Sequence, residues 1–278
     1  MRIKSLHIFP VKSARAIDLH KAIVKPRGLA GDRRFLLVDA DGSFITQRQI
    51  PKLAQLCVKL TPGGIALRWS GQDWVDIPFP MNKTRKQITV WHSTVDAVIV
   101  EGDINAALSR WLSRPVSLVF MDDKATRLTN TKWSSPASQV SFADGYPVLI
   151  TNTASLTALN DYITNTGGVA LTMDRFRPNV VVESDRPWDE DNWKSVRIGD
   201  VVLDLVKPCA RCVVTSIDQT TGKKNPNTAL TALKHLHPSA DPKNPGVIFG
   251  MNAIVRTLGN IRVGNTVKTG ALNDITNS

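Results

Sequence analysis

The sequence predicts a mainly β protein of the α+β class, built as two β-barrel lobes with a few helices. Two observations carry this reading. Short β-branched or alternating apolar runs recur between turn signals such as Asp41-Gly42 and Pro62-Gly63-Gly64. Only three stretches repeat apolar residues at helical spacing, too few for the regular strand–helix alternation of a doubly wound fold.

In chain order, strands are expected over 3–9, 35–38, 54–60, 65–69, 89–90 and 95–100. Asp103 then offers an N-cap, and Ile104, Ala107, Leu108, Trp111 and Leu112 mark a helix over 104–112. A strand over 116–120 closes a first lobe, residues 1–120. Residues 121–142 are polar with few periodic apolar positions and read as a loop or crossover into a second lobe, 121–273. There, a strand over 147–151 leads into a helix over 153–162. Strands follow over 180–182, 196–198, 201–206 and 213–217, with a tight turn at Ile198-Gly199-Asp200. A short helix over 230–235 precedes a final hairpin over 261–267 around Gly264-Asn265.

Composition narrows the function classes. No apolar run reaches the roughly 18 residues of a membrane span, so no membrane association is expected. The N-terminus carries Lys4 and His7 where a signal peptide would be apolar, so the expected compartment is the cytoplasm. Three cysteines, Cys57, Cys209 and Cys212, argue against a disulfide framework. The net charge of +11 asks for an anionic partner. No dense basic run appears, and Arg33-Arg34, Arg175, Arg177 and Arg211 sit singly or paired in short loops. That placement suits a small phosphate-bearing ligand rather than a nucleic-acid polymer.

The sharpest local motif is Lys207-Pro208-Cys209-Ala210-Arg211-Cys212. A zinc site lacks its second cysteine pair, and a thioredoxin-like pair would open a helix where a strand is expected. Two readings remain: two buried structural thiols, or one thiolate ligand to a soft metal in a bound cofactor. Arg211 beside Cys212 favours the second, because a neighbouring cation favours a thiolate. Phe176-Arg177-Pro178-Asn179 places Arg and Asn at a loop end where both can converge on a ligand. Pro10-Val11-Lys12-Ser13 pairs residues that suit a phosphate, without the Gly-rich lead of a P-loop. Gly31-Asp32-Arg33-Arg34-Phe35 delivers two arginines to a strand start, and 141–147 sets Asp144 in a Gly-containing loop. Most of the tryptophans read as packing residues, with Trp133 in the polar crossover as the exception.

These motifs, joined by Thr46-Gln47-Arg48-Gln49, Ile198-Gly199-Asp200 and Phe249-Gly250, occur in order along nearly the whole chain. Together they resemble the MOSC superfamily with its N-terminal β-barrel domain, in particular its bacterial YcbX-type and mitochondrial amidoxime-reducing members. The resemblance implies a molybdenum cofactor, a pterin-bound molybdenum, with Cys212 as the protein's ligand to the metal. It also implies that Lys12, Ser13, Arg34, Arg177, Asn179 and Arg211 hold the pterin and its phosphate. Gly145 and Tyr146 fall where the mitochondrial members carry hydroxyl residues, so Gly145 would contribute backbone alone. Ala210 stands for a serine of those members and Asn252 for a tyrosine, and both are kept as cofactor contacts.

The activity implied is reduction of N-hydroxylated compounds, hydroxylamine-type bases and amidoximes, to amines and amidines. Asp144 is the candidate for handling protons beside the metal. YcbX-type members usually continue into a ferredoxin-like iron–sulfur domain, for which no cysteine set remains here. Nor is a nicotinamide or flavin fingerprint visible. Electrons are therefore expected from a separate ferredoxin-, flavodoxin- or cytochrome-type donor. The alternative is a non-catalytic cofactor carrier, or a sulfur carrier using Cys212, with no pyridoxal-phosphate sulfurase domain attached.

Overall fold

The computed structural model describes residues 1–81, 84–225, 228–242 and 245–270; residue 273, where the second lobe was expected to end, lies outside them. The first half supplies β1 (Arg2–Ile8), β2 (Ile17–Leu19), β3 (Lys21–Lys25), β4 (Gly28–Leu29), β5 (Phe35–Val38), β6 (Cys57–Thr61), β7 (Gly64–Arg68) and β8 (Val75–Pro78). It continues with β9 (Arg85–Val90), β10 (Ser93–Ile99), α1 (Ile104–Leu112) and β11 (Ser117–Phe120). The second half supplies β12 (Val148–Asn152), α2 (Thr153–Asn165), β13 (Val180–Glu183), β14 (Ser195–Ile198) and β15 (Val201–Ala210). It ends with α3 (Thr228–Leu236), β16 (Ile248–Thr257), β17 (Gly259–Arg262) and β18 (Lys268–Gly270). The chain is mainly β, as the sequence predicts.

The largest sheet has eight strands in the order β18-β14-β15-β16-β12-β13-β1-β2. Its parallel pair is β12 with β13, and α2 makes the crossover that a parallel pair requires. Asn152 caps α2 by accepting from the Ala154 N–H at 2.9 Å. Asp103, the expected cap of α1, is itself in helical backbone and makes no side-chain cap bond. The first half forms a four-stranded sheet, β5-β11-β10-β9, and a three-stranded sheet, β6-β7-β8.

The division at 120/121 is not a division in space. β1 pairs with β13, and β2 pairs with β1, so both N-terminal strands belong to the sheet of the second half. The reason is apolar burial: Ile3, Leu6 and Ile8 of β1 sit in one core with Val180, Val182, Leu203 and Ala253. A strand that completes another lobe's core is held there whatever its place in the sequence. From β1 the chain crosses into the other lobe, where Val11 bridges Phe35 and the Lys12 N–H donates to the Phe35 carbonyl at 2.8 Å. Lys12 and Ser13 therefore lie at the seam between lobes.

Two further expectations are corrected, and one strand is new. The segment after Cys212 is a 3₁₀ turn over Val213–Ser216, not a strand. The Thr215 and Ser216 hydroxyls donate back to the Cys212 and Val213 carbonyls at 2.9 and 2.6 Å, offering the backbone a turn instead of a ladder. The turn at Gly264-Asn265 exists, but its arms part: β17 pairs with β3 and β18 with β14, so there is no hairpin. The ten-residue β16 had no counterpart in the sequence reading, because Gly250 and Asn252 interrupt its apolar run. Gly250 is obligatory there, with φ of 76° and a Cβ that would lie 2.6 Å from the Ile150 carbonyl oxygen.

Candidate functional site

Where β1 leaves the large sheet, six inter-strand segments meet in an open trough of about 860 Å³, its mouth included. Five cations line it, Lys12, Arg33, Arg48, Arg177 and Arg211, against one carboxylate, Asp144. So lopsided a wall favours an anionic ligand. Among the described residues, three of the six non-glycine residues with positive φ, namely Ser13, Arg33 and Arg177, lie in this wall. Backbone strain collected at one place marks a functional site.

Each predicted residue has a definite place. Lys12 Nζ donates to Asp144 Oδ1 at 2.5 Å, and Trp91 Nε1 donates to the same oxygen at 3.3 Å. Protein crowding pushes the Asp144 pKa up, but the charge and hydrogen bond of Lys12, with Arg48 and Trp91, outweigh it. The carboxyl is held well below the usual range. Burial pulls the Lys12 ammonium down, and Asp144 opposes that only in part. Arg127, in the polar crossover, braces the Asp144 loop by donating to the carbonyls of Ser141, Ala143 and Asp144 at 2.9, 2.5 and 2.8 Å.

Arg177 Nη1 donates to the Ala14 carbonyl at 2.9 Å and to Gln219 Oε1 at 3.1 Å, while its buried Nη2 has no partner. Burial, then the charge of Arg33, press the Arg177 pKa down. Asn179 also lines the trough, but its amide is committed internally. Oδ1 accepts from Arg33 and from the Leu149 N–H at 3.0 and 3.1 Å, and Nδ2 donates to the His7 carbonyl at 3.2 Å. Ala210, Gly145, Tyr146 and Asn252 line the trough as well. A Cβ on Gly145 would meet nothing within 4 Å, so the position admits a side chain. Burial pushes the Tyr146 phenol up to about 12, which keeps its O–H a donor at neutral pH.

Two assignments change. Arg34 does not reach the trough: its Nε donates to the Met121 carbonyl at 2.7 Å, its Nη2 to Asp123 at 2.9 Å, and it lies over Phe120. Arg33 takes the place. Its φ of 47° kinks the chain, and neighbours at a strand start project to opposite sides, so only one of the pair faces inward. Arg33 and Arg177 lie over the Phe9 ring, each 4.2 Å from its centroid. The same alternation separates Arg211 from Cys212. Arg211 Nη1 meets Cys209 Sγ at 2.8 Å and Nη2 donates to the Phe176 carbonyl at 2.7 Å, leaving the buried Nε unpartnered. The cation at Cys212 is instead Arg48, whose Nη2 lies 3.3 Å from Sγ. Arg48 stands in the Thr46-Gln47-Arg48-Gln49 motif, and nothing local ties it to a cysteine 164 residues away.

The donor set fits a pterin-bound metal. Two unpartnered guanidinium N–H groups suit a phosphate, and Cys212 is a soft ligand. Among the described residues no group of three or more His, Cys, Asp or Glu could hold a bare metal ion, so a metal at Cys212 would bring further ligands of its own.

Comparison with known proteins identifies the family. The family profile of the MOSC N-terminal beta barrel domain matches residues 1–116, and that of the MOSC domain matches residues 137–268. Human mitochondrial amidoxime-reducing component 1 is 30% identical over 95% of this chain and 82% of its own length. The chain belongs to the MOSC family. Rat mitochondrial amidoxime reducing component 2 is 28% identical with the same coverage, 95% and 82%. A molybdenum cofactor sulfurase of Drosophila willistoni is 27% identical over 83% of this chain but only 29% of its own length. In this MOSC chain the two profiles meet across the trough, since Lys12, Arg33 and Arg48 fall in the first and Arg177, Arg211 and Cys212 in the second.

Proposed function

We propose that the chain binds a molybdenum cofactor in the trough, with Cys212 as the protein ligand, and reduces N-hydroxylated compounds such as amidoximes. One observation carries the reading: unpartnered buried donors on Arg177 and Arg211 share a strongly cationic trough with a cysteine thiol. The names of the amidoxime-reducing relatives supply the substrate class.

When bound, the cofactor supplies a metal that exchanges electrons and accepts oxygen. This chain's residues do the rest. Arg33, Arg177 and Arg211 would hold the phosphate, with Ser13 and the Gly145 backbone alongside. Removing oxygen from an N–OH group to leave N–H takes two electrons and two protons and releases water. At the Lys12–Asp144 pair the carboxylate stays ionised, so the proton to give belongs to Lys12, whose pKa burial has lowered. Asp144 then acts by holding that ammonium at the trough. Electrons come from a separate acidic carrier, which the +11 chain favours.

The match to a sulfurase favours a second reading, sulfur relay through Cys212 as a persulfide. The test is turnover of benzamidoxime with an artificial one-electron donor, using protein from a host that makes the cofactor. Reduction to benzamidine supports the reductase. Full metal loading without turnover of any N-hydroxylated compound, joined to a cyanolysable sulfur on Cys212, supports the relay.

A further inference from the structure

Arg48 comes from the N-terminal half, and an aromatic ring and an anchored loop fix it. Its guanidinium lies over Trp91, 4.6 Å from the ring centroid, at the tip of the β9–β10 hairpin. Trp91 is itself held in left-handed backbone at φ of 57°, packs on Phe44 at 4.9 Å and donates its indole N–H to Asp144. The backbone beneath Arg48 is anchored by its neighbour Gln47, which is fully buried. Gln47 and Gln219 exchange amide hydrogen bonds at 2.9 and 3.0 Å, and Gln47 also donates to the Ser13 carbonyl at 2.8 Å. Gln49 closes the loop by accepting from the Thr46 N–H and hydroxyl at 2.8 and 2.6 Å. The free end of this rigid assembly is Arg48 Nη2 at 3.3 Å from Cys212 Sγ.

We infer that Arg48 is a positioning residue for the Cys212 sulfur, with Trp91 as the platform that aims it. The inference rests on the reading of Cys212 as the metal's ligand. A thiol on a single χ1 rotates among staggered wells, and a planar donor stacked on an aromatic face selects one of them. The first lobe thereby fixes the direction of a sulfur carried by the second. Gln219, which also accepts from Arg177, joins the same loop to the phosphate side of the trough.

Two measurements on the full chain test this. In loaded protein, the EPR signal of the molybdenum(V) state reports how the sulfur is oriented about the metal. Arg48→Ala and Trp91→Ala should both shift or split that signal relative to wild type. Trp91→Phe keeps the platform without the indole N–H and should retain the wild-type signal. In cofactor-free protein, a double-mutant cycle of Arg48→Ala with Cys212→Ala should be non-additive. The double variant's fall in Tm should be smaller than the summed single falls by about 2 °C or more. An unshifted signal in Arg48→Ala, or strict additivity in the cycle, overturns the inference. If wild type takes up no molybdenum, the cofactor reading fails, while the cycle still decides whether Arg48 acts on Cys212.

Discussion

Lys12 Nζ and Asp144 Oδ1 lie 2.5 Å apart across the seam between lobes, 132 residues apart in sequence. Lys12 is buried, whereas the Asp144 side chain is 68% exposed to the trough, so the pair has a dry end and a wet end. Asp144→Asn would leave a buried ammonium without its counter-charge. The expected cost is about 1–3 kcal/mol, at the lower end because solvent reaches the carboxylate and screens the pair. Urea unfolding of the cofactor-free chain measures it, and a cost near zero contradicts the pairing.

The same pair sets a pH dependence. Asp144 has a depressed folded pKa, so its contribution to stability is present above its unfolded pKa and is lost as pH falls through the folded value. No carboxylate limb should then appear in the activity profile at about pH 4 or above. Lys12 has a lowered folded pKa, so proton donation fails as pH rises through that value. Activity should fall on the alkaline side, and Lys12→Arg should move that limb upward. A fall in activity as pH rises through the ordinary carboxylate range, about 4, that is absent in Asp144→Asn would return the proton-donating role to Asp144.

Arg33 and Arg34 separate cleanly by mutation. Arg33→Ala and Arg177→Ala should each weaken cofactor retention by roughly ten- to a hundredfold, the value of one charge-assisted bond of about 1.5–3 kcal/mol. Arg34→Ala should leave retention unchanged, since its donors serve Met121 and Asp123. Pterin fluorescence after repeated dilution and filtration is the measurement. Loss of pterin from Arg34→Ala alone contradicts the placement of the two side chains.

The glycines of the site region divide in the same way. Gly250→Ala forces a Cβ against the Ile150 carbonyl at positive φ and should destabilise the chain by about 1–3 kcal/mol. Gly145→Ser should melt with wild type, because its Cβ enters open space. Thermal melts of both variants decide the point.

Much of this was legible in the sequence because the site is made of punctuated loops. Pro10, Gly31, Gly145 and Pro178 break the periodic segments and bring Lys12, Asp144, Arg177 and Cys212 forward as loop-end chemistry. What could not be read depended on one torsion or on distant contacts. Only the positive φ of Arg33 decides which of two adjacent arginines faces inward. Alternation along the chain gives Arg211 to Cys209, whereas sequence adjacency suggested Cys212. Arg48 gains its meaning from Trp91 and Cys212, and the pairing of β1 with β13 joins the chain's first residues to its second half. No local pattern encodes such contacts.

Ligation of a pterin-bound molybdenum by Cys212 is tested by metal and pterin analysis of three proteins. Wild type from a host that makes the cofactor should carry about one molybdenum per chain with releasable pterin, as a soft thiolate site predicts. Cys209→Ser should still bind molybdenum and pterin in equal amounts, but hold both less firmly, since it loosens Arg211. Cys212→Ser should keep pterin but lose the metal-dependent reduction and its sulfur-to-molybdenum absorption. Stoichiometric zinc without pterin in wild type, or full activity in Cys212→Ser with none in Cys209→Ser, would rule out Cys212 as the ligand.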